Sequence, residues 1–157
     1  MASLADWTSD RPAGLLSRMF GFGQTHSLTC QQVTMDDLLR KERIPEPDFI
    51  KCDVEGAELM VFQGARDTLD RIDAPIILFE VGAEAARGFG LKATEAADFL
   101  STLDKPGYRF LELLDGEEVR NVMPEHFKSH NQNIVAVPKS KHFLCPELAG
   151  AAVRTDT

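Results

Sequence analysis

"FIKCDVEGAELMVFQGA", residues 49–65, decides how the rest of the chain is read. It opens as an apolar strand, runs through Asp53, Glu55, Gly56 and Glu58, and continues as a helix. Carboxylates crowded at a strand-to-helix junction have two explanations. Acids complement the unsatisfied amides and the dipole at a helix start. Acids at the carboxyl end of a parallel strand instead face the crevice where open α/β sheets gather their ligands. Gly56 lets the backbone turn sharply and lets another group approach closely.

Working outward, Pro45 and Pro47 set the entry to a strand over 48–54. Behind the junction, Ala57, Met60, Val61, Gly64, Ala65, Thr68, Leu69 and Ile72 fall at the spacing of one helix face. Glu58, Gln63, Arg66, Asp67, Asp70 and Arg71 take the wetter side. "PIILFEV" (75–81) is a continuous apolar run, which predicts a parallel strand covered on both faces in the middle of the sheet. It ends in Glu80, an acid with little capping to do, so Asp53, Glu55 and Glu80 are the candidate site residues.

Upstream, "SLTCQQVT" (27–34) alternates weakly as a strand, and "TMDDLLRKERI" (34–44) reads as a helix capped by Thr34. Downstream come a helix from Ala93 to Leu103, a strand in "YRFLELL", a turn at Asp115-Gly116 and a strand in "EEVRNV". "NIVAVP" (133–138) is the last strand. The order predicts an α/β fold whose parallel part finishes in an antiparallel pair. Residues 1–27 read as a loop region, 28–138 as the folded domain and 139–157 as a partly ordered tail.

Seventeen basic against twenty-five acidic side chains give a formal charge of −8 over 157 residues, which argues against nucleic acid or an anionic membrane as partner. Cys30, Cys52 and Cys145 are odd in number and form no CxxC, as suits a reduced, cytoplasmic chain. No signal peptide is legible at the N-terminus, and no apolar run is long enough to span a bilayer. His126 and His130 stand four apart, as zinc ligands can, but lack a third ligand nearby.

"VTMDDLL" (33–39), "PDFIKCDVEGAELMVFQGA" (47–65), "PIILFEV", "GYRF" (107–110) and "NIVAVP" together resemble the FkbM family of S-adenosylmethionine-dependent methyltransferases. "RPAGLLSRMF" (11–20) resembles the loop that precedes these elements in that family. The resemblance implies a Rossmann-like class I methyltransferase sheet, with 48–54 as its fourth strand and 75–81 as its fifth. It also implies methylation of a sugar or polyketide-like hydroxyl on a small molecule. Under that reading Asp53 acts on the acceptor as base or metal ligand, Glu55 is the second candidate, and Glu80 orients the acceptor. A divalent metal is a further helper that such acids could hold.

Family members hold S-adenosylmethionine with a glycine-rich turn after the first strand, and no such motif is found. "FGFGQT" (20–25) follows no apolar strand and precedes no helix. The chain therefore looks like the C-terminal part of the family domain, without the N-terminal cofactor-binding strands. The strand 48–54 is then left with an open edge, which a second copy or a partner chain would cover. Two functions from different classes follow: an O-methyltransferase or part of one, and a non-catalytic module that pairs with a partner chain.

Overall fold

A computed structural model describes residues 31–114, 118–127 and 131–145. The chain divides after Gln32, and every element below belongs to the unit that begins at Val33. Helix α1 (Met35–Glu42) begins as its sequence dictates, with Thr34 Oγ1 accepting from the Asp37 amide at 3.1 Å. Arg43, at φ 54°, ends it in the left-handed region. Residues 31–34 have no regular structure, which corrects the expected strand over 27–34 at its described end; 27–30 lie outside the described residues.

The single helix expected from Ala57 to Ile72 is two, α2 (Glu58–Gln63) and α3 (Arg66–Leu69). Asp36 of α1 explains the break. Its amide donates to the Gly64 carbonyl at 3.1 Å, where an unbroken helix would have carried its own ladder. Its carboxylate caps α3, accepting from the Asp67 amide (2.9 Å), the Thr68 amide (3.0 Å) and the Thr68 hydroxyl (2.6 Å). A cap of this kind contributes about 0.5–2 kcal/mol.

Five strands, β1 (Phe49–Cys52), β2 (Ile76–Val81), β3 (Arg109–Leu113), β4 (Val119–Val122) and β5 (Gln132–Val137), form one sheet in the order β1-β2-β5-β3-β4. Strands β1 and β2 are parallel, and the other three pairings are antiparallel. The centre is therefore β5, with β2 beside it, rather than β2 as the apolar run suggested. The turn expected at Asp115-Gly116 lies outside the described residues.

Two more helices, α4 (Ala83–Gly88) and α5 (Glu95–Ser101), follow β2. The sequence reading missed α4, because six residues with three alanines carry too little periodicity to recognise. It placed α5 correctly but a residue or two too long at each end. Phe62 of α2, Leu69 of α3 and Ala97 and Leu100 of α5 bury one sheet face with Ile77, Phe79, Ile134 and Ala136. Phe62 meets Phe79 edge to face at 5.4 Å between ring centres.

The opposite face is not covered in the same way, which corrects the expectation for 75–81. Along β2, Ile77, Phe79 and Val81 are buried while Ile76, Leu78 and Glu80 are half-buried. Leu111 and Val137 are buried on that side, with Ile76, Val135 and Cys145 packed around them. A 3-10 segment, Lys139–Leu144, follows Pro138, and Lys141 Nζ reaches Asp48 Oδ1 at 3.1 Å. Tyr108 ties the start of β3 to the start of β2 by donating to the Pro75 carbonyl at 3.1 Å, and burial pushes its phenol upward.

Candidate functional site

The turn between β1 and α2 is built by Glu58 and Gly56. Glu58 is buried, and its Oε1 accepts from the amides of Val54 and Gly56 at 3.3 Å each. It was expected on the wet side of the helix; instead it folds back to satisfy two amides that the end of the strand leaves unpaired. Gly56 sits at φ +99°, and a Cβ there would lie 2.3 Å from the Ala85 carbonyl carbon. What approaches Gly56 closely is thus the backbone of α4. Glu55 precedes it at φ 54°, with its side chain exposed on the outside of the turn.

Asp53 and Glu80 come together at one end of the sheet. Lys51 pairs with Leu78 and Cys52 with Phe79, so the next rung sets Asp53 beside Glu80 on neighbouring strands spaced about 5 Å. Strand alternation puts Lys51, Asp53 and Glu80 on the open face. Lys51 Nζ donates to Asp53 Oδ2 at 2.8 Å. That bond first, then the Asp53 charge, raises the Lys51 pKa against partial desolvation, and the charge of Glu80 adds to the rise. Across β5, Asn133 stands opposite Glu80 and extends the polar row.

Glu80 also borders a cleft at the carboxyl ends of β1 and β2, with Gly56, Glu58, Gly82 and Lys92. Its cavity volume is ≈ 10 Å³, room for about one water molecule. This cleft by itself is too small for a nucleoside-sized cofactor. Lys92, Gly82 and Asn133 were missed because nothing in their local spacing marks them; only the ordering of β2, α4 and β5 brings them to this end. Gly82 is held close by tertiary packing, since a Cβ there would lie 2.9 Å from Asn131 Oδ1.

Among the described residues, no three His, Cys, Asp or Glu side chains converge as a metal site would require. His126 ends a three-residue 3-10 turn, Pro124–His126, and His130 lies outside the described residues. Cys52 faces the core, where burial pushes its thiol up to about 12, with the Glu58 and Asp53 charges adding. It is an inert thiol, as expected of a buried cysteine. Among the described residues, no helix is long and apolar enough to cross a membrane.

The acids after β1, the acid closing β2 and the turn between strand and helix all lie within one stretch that matches a known family. The profile of the methyltransferase FkbM domain matches residues 3–110. The chain belongs to the FkbM methyltransferase family. A curated relative, the hexuronic acid methyltransferase AglP of Haloferax volcanii, is 31% identical over 58 residues. Those residues are 37% of this chain and 24% of AglP, so the match spans about a quarter of that relative's length. No solved structure matches the chain. The described part places Asp53 and Glu80 at the carboxyl ends of β1 and β2, beside a cleft of ≈ 10 Å³.

Proposed function

We propose that this FkbM-family chain supplies the acceptor side of an S-adenosylmethionine-dependent O-methyl transfer, with Asp53 as the residue nearest the acceptor hydroxyl. The observation that supports this reading is that Asp53 follows the last paired rung of β1 while Glu80 occupies the next position of β2, with Asp53 Oδ2 bound by Lys51 at 2.8 Å. S-adenosylmethionine, when bound to a family member, supplies an electrophilic methyl group. An alcohol is a weak nucleophile until its proton is accepted by a positioned base.

In this reading Asp53 Oδ1 accepts the hydrogen bond of the attacking hydroxyl and takes its proton. Lys51 holds the carboxylate in place, and Glu80 bonds a neighbouring hydroxyl so that the acceptor is presented in one orientation. Orientation of this kind accounts for much of the acceleration in a displacement reaction. Glu55 lies on the outside of the turn and is a poorer candidate than the sequence alone suggested. A sugar-type acceptor is supported by the hexuronic acid named for AglP. The strand order β1-β2-β5-β3, with β5 reversed between β2 and β3, supports the Rossmann-like assignment.

The ≈ 10 Å³ cleft favours a second reading, a methyltransferase-fold module without catalysis. Calorimetric titration of the purified chain with S-adenosylhomocysteine separates the two. Saturable binding is expected if the chain is catalytic, with methyl transfer to a uronic acid glycoside lost in Asp53→Asn. A folded sample that takes up no ligand would leave the module as the surviving reading.

A further inference from the structure

The cleft beside Glu80 holds a carboxylate that transfer at Asp53 does not use. Glu58 lines this cleft and is only 6% exposed. One of its oxygens, Oε1, is occupied by the amides of Val54 and Gly56 at 3.3 Å each. The other, Oε2, has no hydrogen-bond partner among the described residues. No side-chain oxygen or nitrogen among the described residues is both sealed from solvent and unpartnered. Oε2 is therefore not sealed, and it opens into the cleft that Glu58 lines.

A carboxylate so enclosed needs a donor, because a charge withdrawn from water is costly unless it is hydrogen-bonded. The walls of the cleft do not supply one. Leu59, Val81, Ala93 and Ala96 are apolar, and Lys92, the one cation on the lining, forms no ion pair with Glu58. A cavity of ≈ 10 Å³ takes a single water-sized group. A hydroxyl fits it, whereas a carboxylate or a sugar ring does not.

We propose that Glu58 Oε2 binds a second hydroxyl of the acceptor, which enters the cleft in the place of a water. This rests on the reading of Asp53 and Glu80 as acceptor-side residues. Glu80 belongs to both places, since its register sets it next to Asp53 and it borders the cleft. An acceptor held here carries at least two hydroxyls, one that reacts at Asp53 and one that is recognised in the cleft. The site thereby selects sugars and other polyols over molecules with a single isolated hydroxyl. A bond from a hydroxyl to an ionised carboxylate is stronger than a neutral one. An analogue that lacks the hydroxyl is rejected because it leaves the enclosed carboxylate unpaired.

Calorimetric titration of the full chain with methyl glucuronide and its three monodeoxy analogues, in the presence of S-adenosylhomocysteine, tests the proposal without turnover. Loss of the hydroxyl that enters the cleft is expected to weaken binding to the wild-type chain about tenfold. Glu58→Gln keeps an oxygen for the two amides and turns an NH2 group into the cleft, so the penalty for that same analogue is expected to fall below about threefold. Ala93→Val narrows the cleft from its apolar wall with Glu58 untouched, and is expected to reduce the same penalty. Circular dichroism and thermal melting check that both variants are folded. A wild-type chain that binds none of the glycosides, or monodeoxy penalties unchanged in both variants, overturns the proposal. Asp53→Asn keeps the two readings apart: methyl transfer that survives it would end the role of Asp53 as base, while the penalty set by Glu58 is read from binding alone.

Discussion

The two faces of the same five-stranded sheet differ more than their sequences suggest. On the helix side, Ile77, Phe79, Ile134 and Ala136 are all at or below 1% exposure. On the other side, Phe49 is 55% and Leu113 38% exposed, although these residues are no less apolar. The lesson is that hydrophobicity marks a residue as able to be buried, while the neighbouring elements decide whether it is. The polar row of Lys51, Asp53, Glu80 and Asn133 lies on the less covered face.

Substituting one aromatic on each face is the hardest test of this difference. Phe79→Ala should cost about 3–5 kcal/mol, because it empties a packed position against Phe62. Phe49→Thr should change stability by no more than about 0.5 kcal/mol, as for other surface positions. Urea denaturation of both variants would measure the gap, and equal losses would show that the open face is as tightly packed as the other.

A smaller effect is expected at the turn that joins the faces. Gly56→Ala places a methyl group against the Ala85 backbone and forces a side chain into the left-handed region. The backbone strain alone costs about 1–3 kcal/mol. Its melting temperature should fall, and a variant as stable as the parent would mean that α4 does not pack on this turn.

At neutral pH no effect is expected from the buried thiol, whose titration acts only in alkali. Cys52 has its pKa raised from 9.0 to about 12 in the folded chain. The unfolded chain releases this proton first as pH rises, so the contribution to stability is fully present below pH 9 and is lost as pH approaches 12. Thiol-reactive dye at neutral pH should label Cys52 only after denaturant is added. Rapid labelling of Cys52 in the native protein would place that thiol on the open side of β1.

Much of the geometry around the candidate site was legible before any coordinates. The position of Asp53 and Glu80 at the strand ends was legible because each closes an apolar run. Thr34 was found as a cap because its spacing to Asp37 is the local signature of one. Glu58 was misplaced for an instructive reason. Helical periodicity puts it on a wet face, but the two amides left unpaired at Val54 and Gly56 pull its carboxylate inward. Asp36 was equally out of reach, since its partners Asp67 and Thr68 lie some thirty residues away in sequence.

By itself, then, the sequence determined the α/β class, the family, the strand-turn-helix around Asp53, and the two acids at the strand ends. These depend on period, capping chemistry and local spacing, all of which act within a few residues. Only the tertiary structure decided that β5 would enter between β2 and β3, that Asp36 would split the expected helix, and that, among the described residues, one sheet face would be less covered than the other. Those outcomes arise from contacts between segments far apart in the chain, where the choice of partner is settled by packing and by the need to satisfy buried amides, not by any local pattern.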